Sequence, residues 1–580
     1  MVKSMGRIIK KHVMAKVLRH FPKTLQKVIL SNYSLMGFKK LHKNLTLQLK
    51  FPIKKEDGSF LFHEPLFGKN QKEGFFTQYY DEAEVQPEFL TIQDRLSLKT
   101  ETLWGKLHEK NSVIKKYIPR ESIVPLSFLI KNFEGSHLDD SLLLSFKING
   151  EKTDLTGLAI NRFHYLPVPG KSKIEISSNH DFVLGSPFER KQQTKHKKRL
   201  VLVLFIDGFA AQILKKAKLE NLMPCTYTFF KKGSAFNNCY AVSGWTLPNI
   251  ASMFSGKFPK KHRMFHPHEE IELGKGYPII SDFFRREGYM TLHVEGSWRL
   301  TPSYGYCKGF DRTVYKYDLK EKEVISCFIE HLQAFKDRNH FAWLSFTDLH
   351  HDIHLLPDIN IQVDTPIKFH DYSSTKTKSP LLSTLDEKKV YRYIKKLASM
   401  DFNLRIIYDY IEKNYSDDAI LVALVSDHGQ GYIEDNGRLL SKARTHVPFM
   451  LRGGTESFQT DEFISIIDIL PTLLHLSNIN YDKNSMDGVL PRALKGEGRR
   501  YIISETIYPK DTYKATVKWD RYELFLESEE LVGEDGSISV GKYDALLIDS
   551  SDGKDVSDVK GEILKEYTNI LLNHVNLNDK

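Results

Sequence analysis

The sequence Leu-Val-Leu-Val-Leu-Phe-Ile-Asp-Gly, residues 200–208, decides the fold of this 580-residue chain. Its first seven residues are all aliphatic or aromatic, which is typical of a parallel strand buried on both faces. Asp207 follows this strand directly, and Gly208 allows the chain to turn away. The pattern predicts that the Asp207 carboxylate emerges at the carboxyl edge of a central strand, where open α/β sheets bind ligands.

Further apolar segments of the same kind occur downstream, at residues 340–346, 419–425 and 448–451. Helical patterns separate them, and this alternation is typical of βαβ units in a sheet covered by helices on both faces. We therefore predict an α/β domain, with helices on both faces of its sheet, over residues 198–580.

Residues 45–189 have a different period. Apolar and polar residues alternate there, residues 142–148 and 173–177 are predicted strands, and Asn149-Gly150 predicts a hairpin turn. We expect a β-sandwich-like accessory domain, which either binds substrate or glycan or only shapes the catalytic cleft. The charged segment 189–199 marks its boundary with the α/β domain.

The first residues of the chain are strongly basic. Fourteen Lys or Arg and no Asp or Glu occur in residues 1–55, which leaves 69 basic against 73 acidic residues for the rest. Residues 1–44 have a helical apolar period and predict a basic amphipathic helix that contacts anionic lipid peripherally or packs on its own protein. No nucleic-acid partner is expected, because no aromatic residues interleave with the basic ones in a groove-like pattern.

The cysteines and the apolar segments indicate the compartment. The four cysteines form no CxxC pair, so we expect free thiols in a reducing environment. No apolar run approaches the ~20 residues of a membrane-spanning helix, and basic residues interrupt any secretion signal. We predict a cytoplasmic protein with membrane association through residues 1–44.

Two motifs predict a metal site next to a nucleophile. Asp427-His428-Gly429 follows an apolar strand, so its carboxylate and imidazole can bind one cation together with Asp207. Thr246 opens a predicted helix, where unsatisfied N–H groups favour an alkoxide and an attached phosphate. Thr246 is the candidate nucleophile and a further candidate ligand of the same cation, and the alternative is an ordinary helix N-cap.

A second group of residues has the side chains that a second cation site needs. Asp348, His350 and His446 are carboxylate and imidazole groups at predicted strand ends. His351 or His354 can replace His350 in this set, because all three imidazoles follow Asp348 closely.

From about residue 198 to 527 these motifs occur in the order of the sulfatase-like, alkaline phosphatase superfamily of metallohydrolases, which the chain resembles. The resemblance includes the strand with Asp207, the Thr246-x-Pro-Asn element, Gly309-Phe310-Asp311 and the helix that begins near Ile467. It implies a doubly wound, alkaline-phosphatase-like α/β/α core and catalysis through a covalent intermediate.

The sequence departs from sulfatases at the nucleophile. Sulfatases of this family oxidise a Cys or Ser in a Cys/Ser-x-Pro/Ala-x-Arg motif to formylglycine, whereas this chain has Thr246, with Ile250 in place of the Arg. Thr cannot give that aldehyde, and Cys239 does not restore the motif because Ser243 replaces its Arg. Thr at this position resembles the nucleotide pyrophosphatase/phosphodiesterases and the phosphoethanolamine and phosphoglycerol transferases.

The residues and the resemblance together predict a metal-dependent phosphodiester hydrolase or phosphotransferase with a phospho-threonine intermediate. One or two divalent ions are expected; zinc fits the His and carboxylate ligands best, with manganese or magnesium as alternatives. The substrate is a phosphoester, glycan- or lipid-linked in one version of the hypothesis. Alternatives are a transferase that decorates a cell-surface glycan, a sulfatase-like hydrolase of another ester, and an inert glycan-binding relative.

Overall fold

The computed structural model describes residues 73–79, 99–129, 143–156, 158, 163–189, 198–266, 272–349, 385–434 and 438–577. The predicted N-terminal helix at residues 1–44 lies outside these ranges. The histidines His350, His351 and His354 also lie outside them.

The described residues form 22 strands, which we number in chain order. These are β1 Glu73–Tyr79, β2 Thr100–His108, β3 Ile114–Ile118, β4 Ser122–Leu129, β5 Leu144–Ile148, β6 Glu151–Leu155, β7 His164–Val168, β8 Ser172–Ser178, β9 Asp181–Gly185, β10 Phe188–Glu189, β11 Leu200–Ile206, β12 Ser234–Tyr240, β13 Met290–Glu295, β14 Arg312–Tyr315, β15 His340–Phe346, β16 Ile420–Val425, β17 His446–Arg452, β18 Gln459–Ser465, β19 Ile502–Thr506, β20 Thr512–Trp519, β21 Tyr522–Leu531 and β22 Tyr543–Asp549.

The described α-helices are α1 Ile213–Lys216, α2 Leu219–Leu222, α3 Pro224–Phe230, α4 Thr246–Ser255, α5 Pro259–His262, α6 Ile280–Arg286, α7 Glu321–Ala334, α8 Glu387–Asn414, α9 Lys442–Thr445, α10 Ile469–Leu476 and α11 Gly561–Leu577. Short 3₁₀ helices lie at Trp298–Leu300, Pro302–Tyr304, Asp417–Ala419, Gly431–Ile433, Ile466–Asp468, Lys483–Ser485 and Arg492–Leu494. No helix in the described part of the chain is both long and apolar enough to cross a bilayer.

One large mixed sheet organises the molecule. Its strand order is β10-β4-β9-β2-β14-β13-β15-β11-β16-β17-β12-β18, with β1 paired to β2 and β7 paired to β4. Strands β14, β13, β15, β11 and β16 are parallel, and β17 runs antiparallel between β16 and β12. The central strand β11 has the bounds that the sequence predicts, and all seven of its residues are buried.

Helices cover both faces of this sheet. Val201, Val203 and Phe205 face a core that includes residues of α4, α6, α10 and α11. Leu202 and Leu204 face the opposite core, which includes residues of α3, α7 and α8. Alternate residues of β11 thus enter two different apolar cores, which confirms the predicted doubly wound α/β/α architecture.

The accessory region is a β-sandwich, as predicted. The sheet β3-β8-β5-β6 and strands β4, β7 and β9 of the large sheet enclose one apolar cluster. Asn149 and Gly150 join β5 to β6 with φ of 53° and 94°, the positive values that a tight hairpin turn needs. One sandwich layer continues into the α/β sheet, because β2 pairs with β14 in antiparallel register. The boundary between residues 189 and 198 stays a prediction.

A buried ion pair joins the two regions. Nε of Arg312 on β14 lies 2.6 Å from Oε1 of Glu101 on β2, and the Tyr165 hydroxyl also donates to Glu101. The second guanidinium nitrogen of Arg312 lies 2.9 Å from Nδ1 of His331 on α7. Glu101 is fully buried, so Arg312 depends on it for charge compensation.

Replacing Glu101 with Ala should lower the free energy of unfolding by about 3 kcal/mol, the lower end of the range for broken buried pairs, because the mostly buried Arg312 guanidinium loses its carboxylate. The shift of the urea midpoint, followed by tryptophan fluorescence, measures the loss. Asp154→Ala is the matched control, since Asp154 pairs with Lys152 at the exposed surface and should cause little change. Equal losses in both variants would show that the buried pair does not tie the regions together.

Candidate metal centre

Three side chains with metal-ligand chemistry converge at the carboxyl edge of β11 and β16. Asp207, Asp427 and His428 are buried, and one ligand atom of each lies within 4.8 Å of the others. Nε2 of His428 is 3.4 Å from Oδ2 of Asp427 and 3.7 Å from Oδ1 of Asp207. The register explains this proximity: Phe205 pairs with Val425, so the residues two positions beyond each leave the sheet side by side.

The hydrogen bonds of His428 fix its tautomer. Nδ1 lies 2.8 Å from the carbonyl oxygen of Gly429, to which it donates its hydrogen. Nε2 therefore carries the lone pair of the neutral ring and faces the two carboxylates. Burial lowers the pKa of His428 to about 4, so the ring is neutral near pH 7. A neutral imidazole held in this way is a ready metal ligand.

The carboxylates are left without donors on the side that faces His428. Oδ1 of Asp427 accepts hydrogen bonds from the backbone N–H groups of Gly208 and His428, at 3.1 and 2.8 Å. Oδ2 of Asp427 and both oxygens of Asp207 have no hydrogen-bond partner among the described residues. Burial, followed by the charge of Asp427, raises the pKa of Asp207 well above its usual value.

These observations test whether the residues fit a cation. Buried carboxylate oxygens without donors carry a large desolvation cost, which a metal ion removes. Two carboxylates and one neutral imidazole are a donor set that divalent cations accept. The site therefore fits one divalent metal ion, held by Asp207, Asp427 and His428.

Thr246 borders this group. Its Oγ1 lies 3.2 Å from Nε2 of His428, and the residue is fully buried. Helix α4 begins at Thr246 and its N-cap is Trp245, so the hydroxyl does not serve as the cap. The N-cap alternative is thereby disfavoured, and the hydroxyl faces the ligand cluster at the positive end of a ten-residue helix.

Two side chains fix the loop that carries Thr246. The Asn249 amide accepts from the backbone N–H of Ser243 at 2.8 Å and donates to the Ser243 carbonyl at 2.7 Å. The Arg444 guanidinium donates to the carbonyl of Gly244, with Nε at 3.0 Å. These bonds explain the Asn of the Thr-x-Pro-Asn element as a clamp on the preceding turn.

Glycine is required at the two turns next to the ligands. Gly208 has φ of +79°, and a Cβ there would lie 2.4 Å from Nε2 of Gln430. A Cβ on Gly429 would lie 2.1 Å from the carbonyl oxygen of Ala443. The contact at Gly429 is with backbone and excludes any side chain, whereas at Gly208 the positive φ is what favours glycine, since the end of the Gln430 side chain can move.

Two arginines that the sequence analysis did not single out face the carboxylates. The positive charges of Arg299 and Arg444 oppose the rise in the pKa of Asp207. Burial lowers the pKa of Arg444 to about 10, and it lowers that of Arg299, although Asp207 and Asp427 favour the charged form of both. Arg299 follows β13 in a turn where Ser297 Oγ accepts from its backbone N–H at 3.3 Å. Two buried cations beside a metal-ligand cluster suit an anionic substrate.

The Asp348 carboxylate is bound by other protein groups and does not join the cluster of Asp207, Asp427 and His428. Its Oδ1 lies 3.2 Å from Nζ of Lys396, and Oδ2 accepts from the backbone N–H of Glu321 at 3.1 Å. Glu321 is the first residue of α7, so the carboxylate satisfies a helix N-terminus. The structure thus does not bring Asp348 to Asp207, and the expected partner His350 is outside the described ranges.

His446 is also hydrogen-bonded through both ring nitrogens. Nε2 donates to the Asn237 carbonyl at 2.7 Å, and Nδ1 lies 3.2 Å from Nε2 of Gln212. The ring stacks on Tyr240 with centroids 5.0 Å apart. Among the described residues, the polar atoms of Asp348 and His446 are therefore engaged in other contacts and do not converge on a second cation site. A second ion remains a prediction.

Residues 199–479 match the family model described as Sulfatase. This part of the chain is an enzyme domain of the sulfatase-like family. This family belongs to the alkaline phosphatase superfamily, so the resemblance of the motifs is confirmed. Its chemistry at family level is hydrolysis of sulfate or phosphate esters with a divalent metal ion.

Solved structures share the fold at low sequence identity. A candidate sulfatase from Bacteroides fragilis aligns with TM-score 0.51 and 17% identity, covering 67% of this chain and 98% of its own. A phosphonate monoester hydrolase from Silicibacter pomeroyi aligns with TM-score 0.50 and 15% identity, covering 66% and 96%. A candidate sulfatase from Bacteroides thetaiotaomicron aligns with TM-score 0.50 and 16% identity, and the alignment covers 66% of this chain and 93% of that protein. No curated protein matches the sequence.

Asp427→Asn and His428→Ala should reduce metal affinity by at least about tenfold to a hundredfold, because outer partners of metal ligands alone contribute that much. Elemental analysis by mass spectrometry after dialysis measures metal per chain. The exposed Asp409→Asn is the control and should retain the wild-type metal content. Full occupancy in either ligand variant would contradict the assignment.

The same measurement decides between one and two ions. Wild type should hold one ion per chain, and Asp348→Asn and His446→Ala should keep that stoichiometry, as the hydrogen bonds of these residues indicate. A fall from two ions to one in these variants would restore the two-ion hypothesis.

Proposed function

We propose that this enzyme is a metal-dependent phosphodiester hydrolase or phosphotransferase that forms a phospho-threonine at Thr246. The observation that carries the proposal is the 3.2 Å distance between Oγ1 of Thr246 and Nε2 of His428. A hydroxyl in that position shares its surroundings with the metal-ligand atoms and with the N-terminus of α4. Within the described residues, no other hydroxyl of the Thr246 loop makes a hydrogen bond to a candidate metal ligand.

The identity of the nucleophile favours phosphorus over sulfur. A sulfatase of this family needs a formylglycine, and a Thr side chain, as a secondary alcohol, cannot give an aldehyde. Ile250 stands where the sulfatase motif has its Arg. A threonine hydroxyl can instead attack phosphorus directly and form a stable phosphoester.

The residues have separate roles in the proposed reaction. Oγ1 of Thr246 forms a bond to phosphorus while the bond from phosphorus to the leaving alcohol breaks, and that oxygen takes up a proton. When bound, the divalent cation would lower the pKa of the Thr246 hydroxyl and offset charge on the phosphate. The Arg299 and Arg444 charges lie near the carboxylates and would favour binding of the phosphate anion.

The acceptor of the phosphoryl group separates hydrolase from transferase. If water attacks the phosphorus of phospho-Thr246, the net reaction is hydrolysis. If an alcohol group of a glycan attacks it, a phosphorylated alcohol such as phosphoglycerol or phosphoethanolamine is transferred to the glycan. Both use the same first step. Only the transferase version needs a lipid-linked donor of the phosphorylated alcohol, and only this version needs residues 1–44 to contact lipid.

The metal identity is part of the proposal. Zinc suits the two carboxylates and the imidazole best, and manganese or magnesium are the alternatives. A sulfatase-like hydrolase of another ester is the second candidate function, favoured by the match of residues 199–479 to the sulfatase family.

The enzyme should hydrolyse bis(p-nitrophenyl) phosphate with a higher kcat/KM than p-nitrophenyl sulfate in the presence of zinc, manganese or magnesium. The reason is that Thr246 can attack phosphorus but cannot provide the hydrated aldehyde on which sulfatases depend. Release of p-nitrophenol from the two substrates under identical conditions is the measurement. Faster turnover of the sulfate ester would favour the second candidate function.

Thr246→Ala should lower kcat by about 10³-fold or more while keeping most of the wild-type metal content, since it removes the attacking atom and leaves Asp207, Asp427 and His428 to hold the ion. Thr246→Ser should retain part of the activity. Incubation with a phosphodiester donor, without acceptor, and rapid acid quench should leave phosphate on the peptide that contains Trp245. Ser243→Ala is the control, and an adduct that maps to Ser243 would refute the assignment.

A further inference from the structure

Helix α8, Glu387–Asn414, has one face in the protein and another in solvent. Its inner face includes Val390, Leu397 and Leu404, which are buried in the core on that side of the sheet. Its outer face carries Tyr391, Phe402 and Ile406, which are 57%, 70% and 53% exposed. Phe402 is among the most exposed large apolar side chains in the described residues.

These three side chains form a single stripe. They are separated by 11 and 4 residues, which is close to three turns and one turn of helix. The stripe is therefore roughly 22 Å long, at about 1.5 Å per residue. An exposed row of this length on an otherwise well-packed helix indicates an interaction surface.

The exposed charges in the middle of this helix are basic. Between residues 388 and 408 the charged residues are Lys388, Lys389, Arg392, Lys395, Lys396, Asp401 and Arg405. The one acidic group, Asp401, is buried and accepts from the backbone N–H groups of Cys225 and Thr226 at 2.8 and 2.7 Å. Lys396 turns inward to Asp348. Two exposed carboxylates lie at the ends of this stretch, and each has a basic partner: Glu387 pairs with Lys216 at 3.6 Å, and Asp409 pairs with Arg405 at 3.2 Å. The exposed charge between them is basic.

Basic and apolar groups are also adjacent in space. Nζ of Lys395 lies 5.4 Å from the centre of the Tyr391 ring, and Lys388 is exposed one turn before Tyr391. A lysine ammonium next to an exposed aromatic ring can reach lipid phosphates while the ring enters the headgroup region.

We infer that the outer face of α8, defined by Lys388, Tyr391, Lys395, Phe402 and Ile406, docks on an anionic phospholipid surface. Charge complementarity decides for this partner, since aromatic and aliphatic side chains flanked by lysines match the boundary between acyl chains and anionic headgroups. A single exposed row also lies flat on a membrane, whereas a second copy of the chain would bring the same positive charges together.

The same helix is connected to the catalytic loop. The hydroxyl of Tyr393 donates to the carbonyl of Gly208 at 2.8 Å and accepts from the backbone N–H of Ala210 at 2.9 Å. Gly208 follows the metal ligand Asp207 directly. The N-terminal half of α8 therefore lies at the catalytic edge of the sheet, so a docked enzyme would present its site close to lipid-linked phosphodiesters. This last consequence rests on the proposed function, whereas the docking does not.

The test uses the full-length chain and vesicles of phosphatidylglycerol and phosphatidylcholine, with pure phosphatidylcholine vesicles as the neutral comparison. Wild type should co-sediment with the anionic vesicles and not with the neutral ones, and binding should fall when salt screens the charges. Phe402→Ser with Ile406→Ser, and separately Lys388→Gln with Lys395→Gln, should each weaken binding by at least about tenfold.

The double variant Leu531→Ser with Val559→Ser is the matched control. Both residues are apolar and lie outside α8, and they are 60% and 80% exposed. This control should bind as wild type does, and all variants should hydrolyse a soluble phosphodiester at the wild-type rate. Failure of soluble turnover in wild type, with vesicle binding intact, would reject the proposed function and leave the docking standing.

Three results would overturn the docking. Wild type that does not bind anionic vesicles excludes it. Variants of α8 that bind as tightly as wild type would assign binding to another part of the chain, such as residues 1–44. A mass by light scattering that falls from dimer to monomer in Phe402→Ser with Ile406→Ser would show that a second copy covers the stripe.

Discussion

The burial of two neighbouring carboxylates at the end of parallel strands is the constraint on which the site depends. Asp207 and Asp427 leave β11 and β16 side by side because the strands are in register, and three of their four oxygens face no donor in the described residues. Like charges so close and so buried are unfavourable without compensation. A bound cation would supply that compensation, and the lone pair of His428 would complete its donor set.

The surroundings of the carboxylates follow from the same constraint. Gly208 and Gly429 let the chain turn without covering the ligands, and Asn249 and Arg444 hold the loop that brings Thr246 to His428. The buried charges of Arg299 and Arg444 give the edge of the site a positive character. An anionic ester would therefore meet both a cation site and two guanidinium groups, which suits phosphate or sulfate chemistry in general. The choice of phosphorus rests on the threonine.

Much of this arrangement could be predicted from the sequence because it is local. The apolar run before Asp207 and that before Asp427 predict buried strands, and parallel strands bring their carboxyl ends to one edge. The sandwich was also predictable from its period of two. The pairing of β2 with β14 was not, because no local pattern records which strands meet across more than two hundred residues.

The rest of the candidate site shows the limit of motifs. Asp348 has a metal-ligand motif, yet Lys396 and the N-terminus of α7 take its oxygens. His446 has one too, yet Gln212 and the Asn237 carbonyl take its nitrogens. These partners are remote in sequence, so ligand chemistry alone could not exclude the competing contacts. Arg299 was missed because a single arginine in a turn has no periodic signal.

The central claim is that one divalent ion is bound by Asp207, Asp427 and His428 next to the Thr246 hydroxyl. Anomalous diffraction from crystals of the enzyme grown with manganese or zinc tests it most directly. The account predicts one strong peak within coordination distance of those three residues and of Oγ1 of Thr246. A strong peak at Asp348 or His446 with none at Asp207 would contradict it.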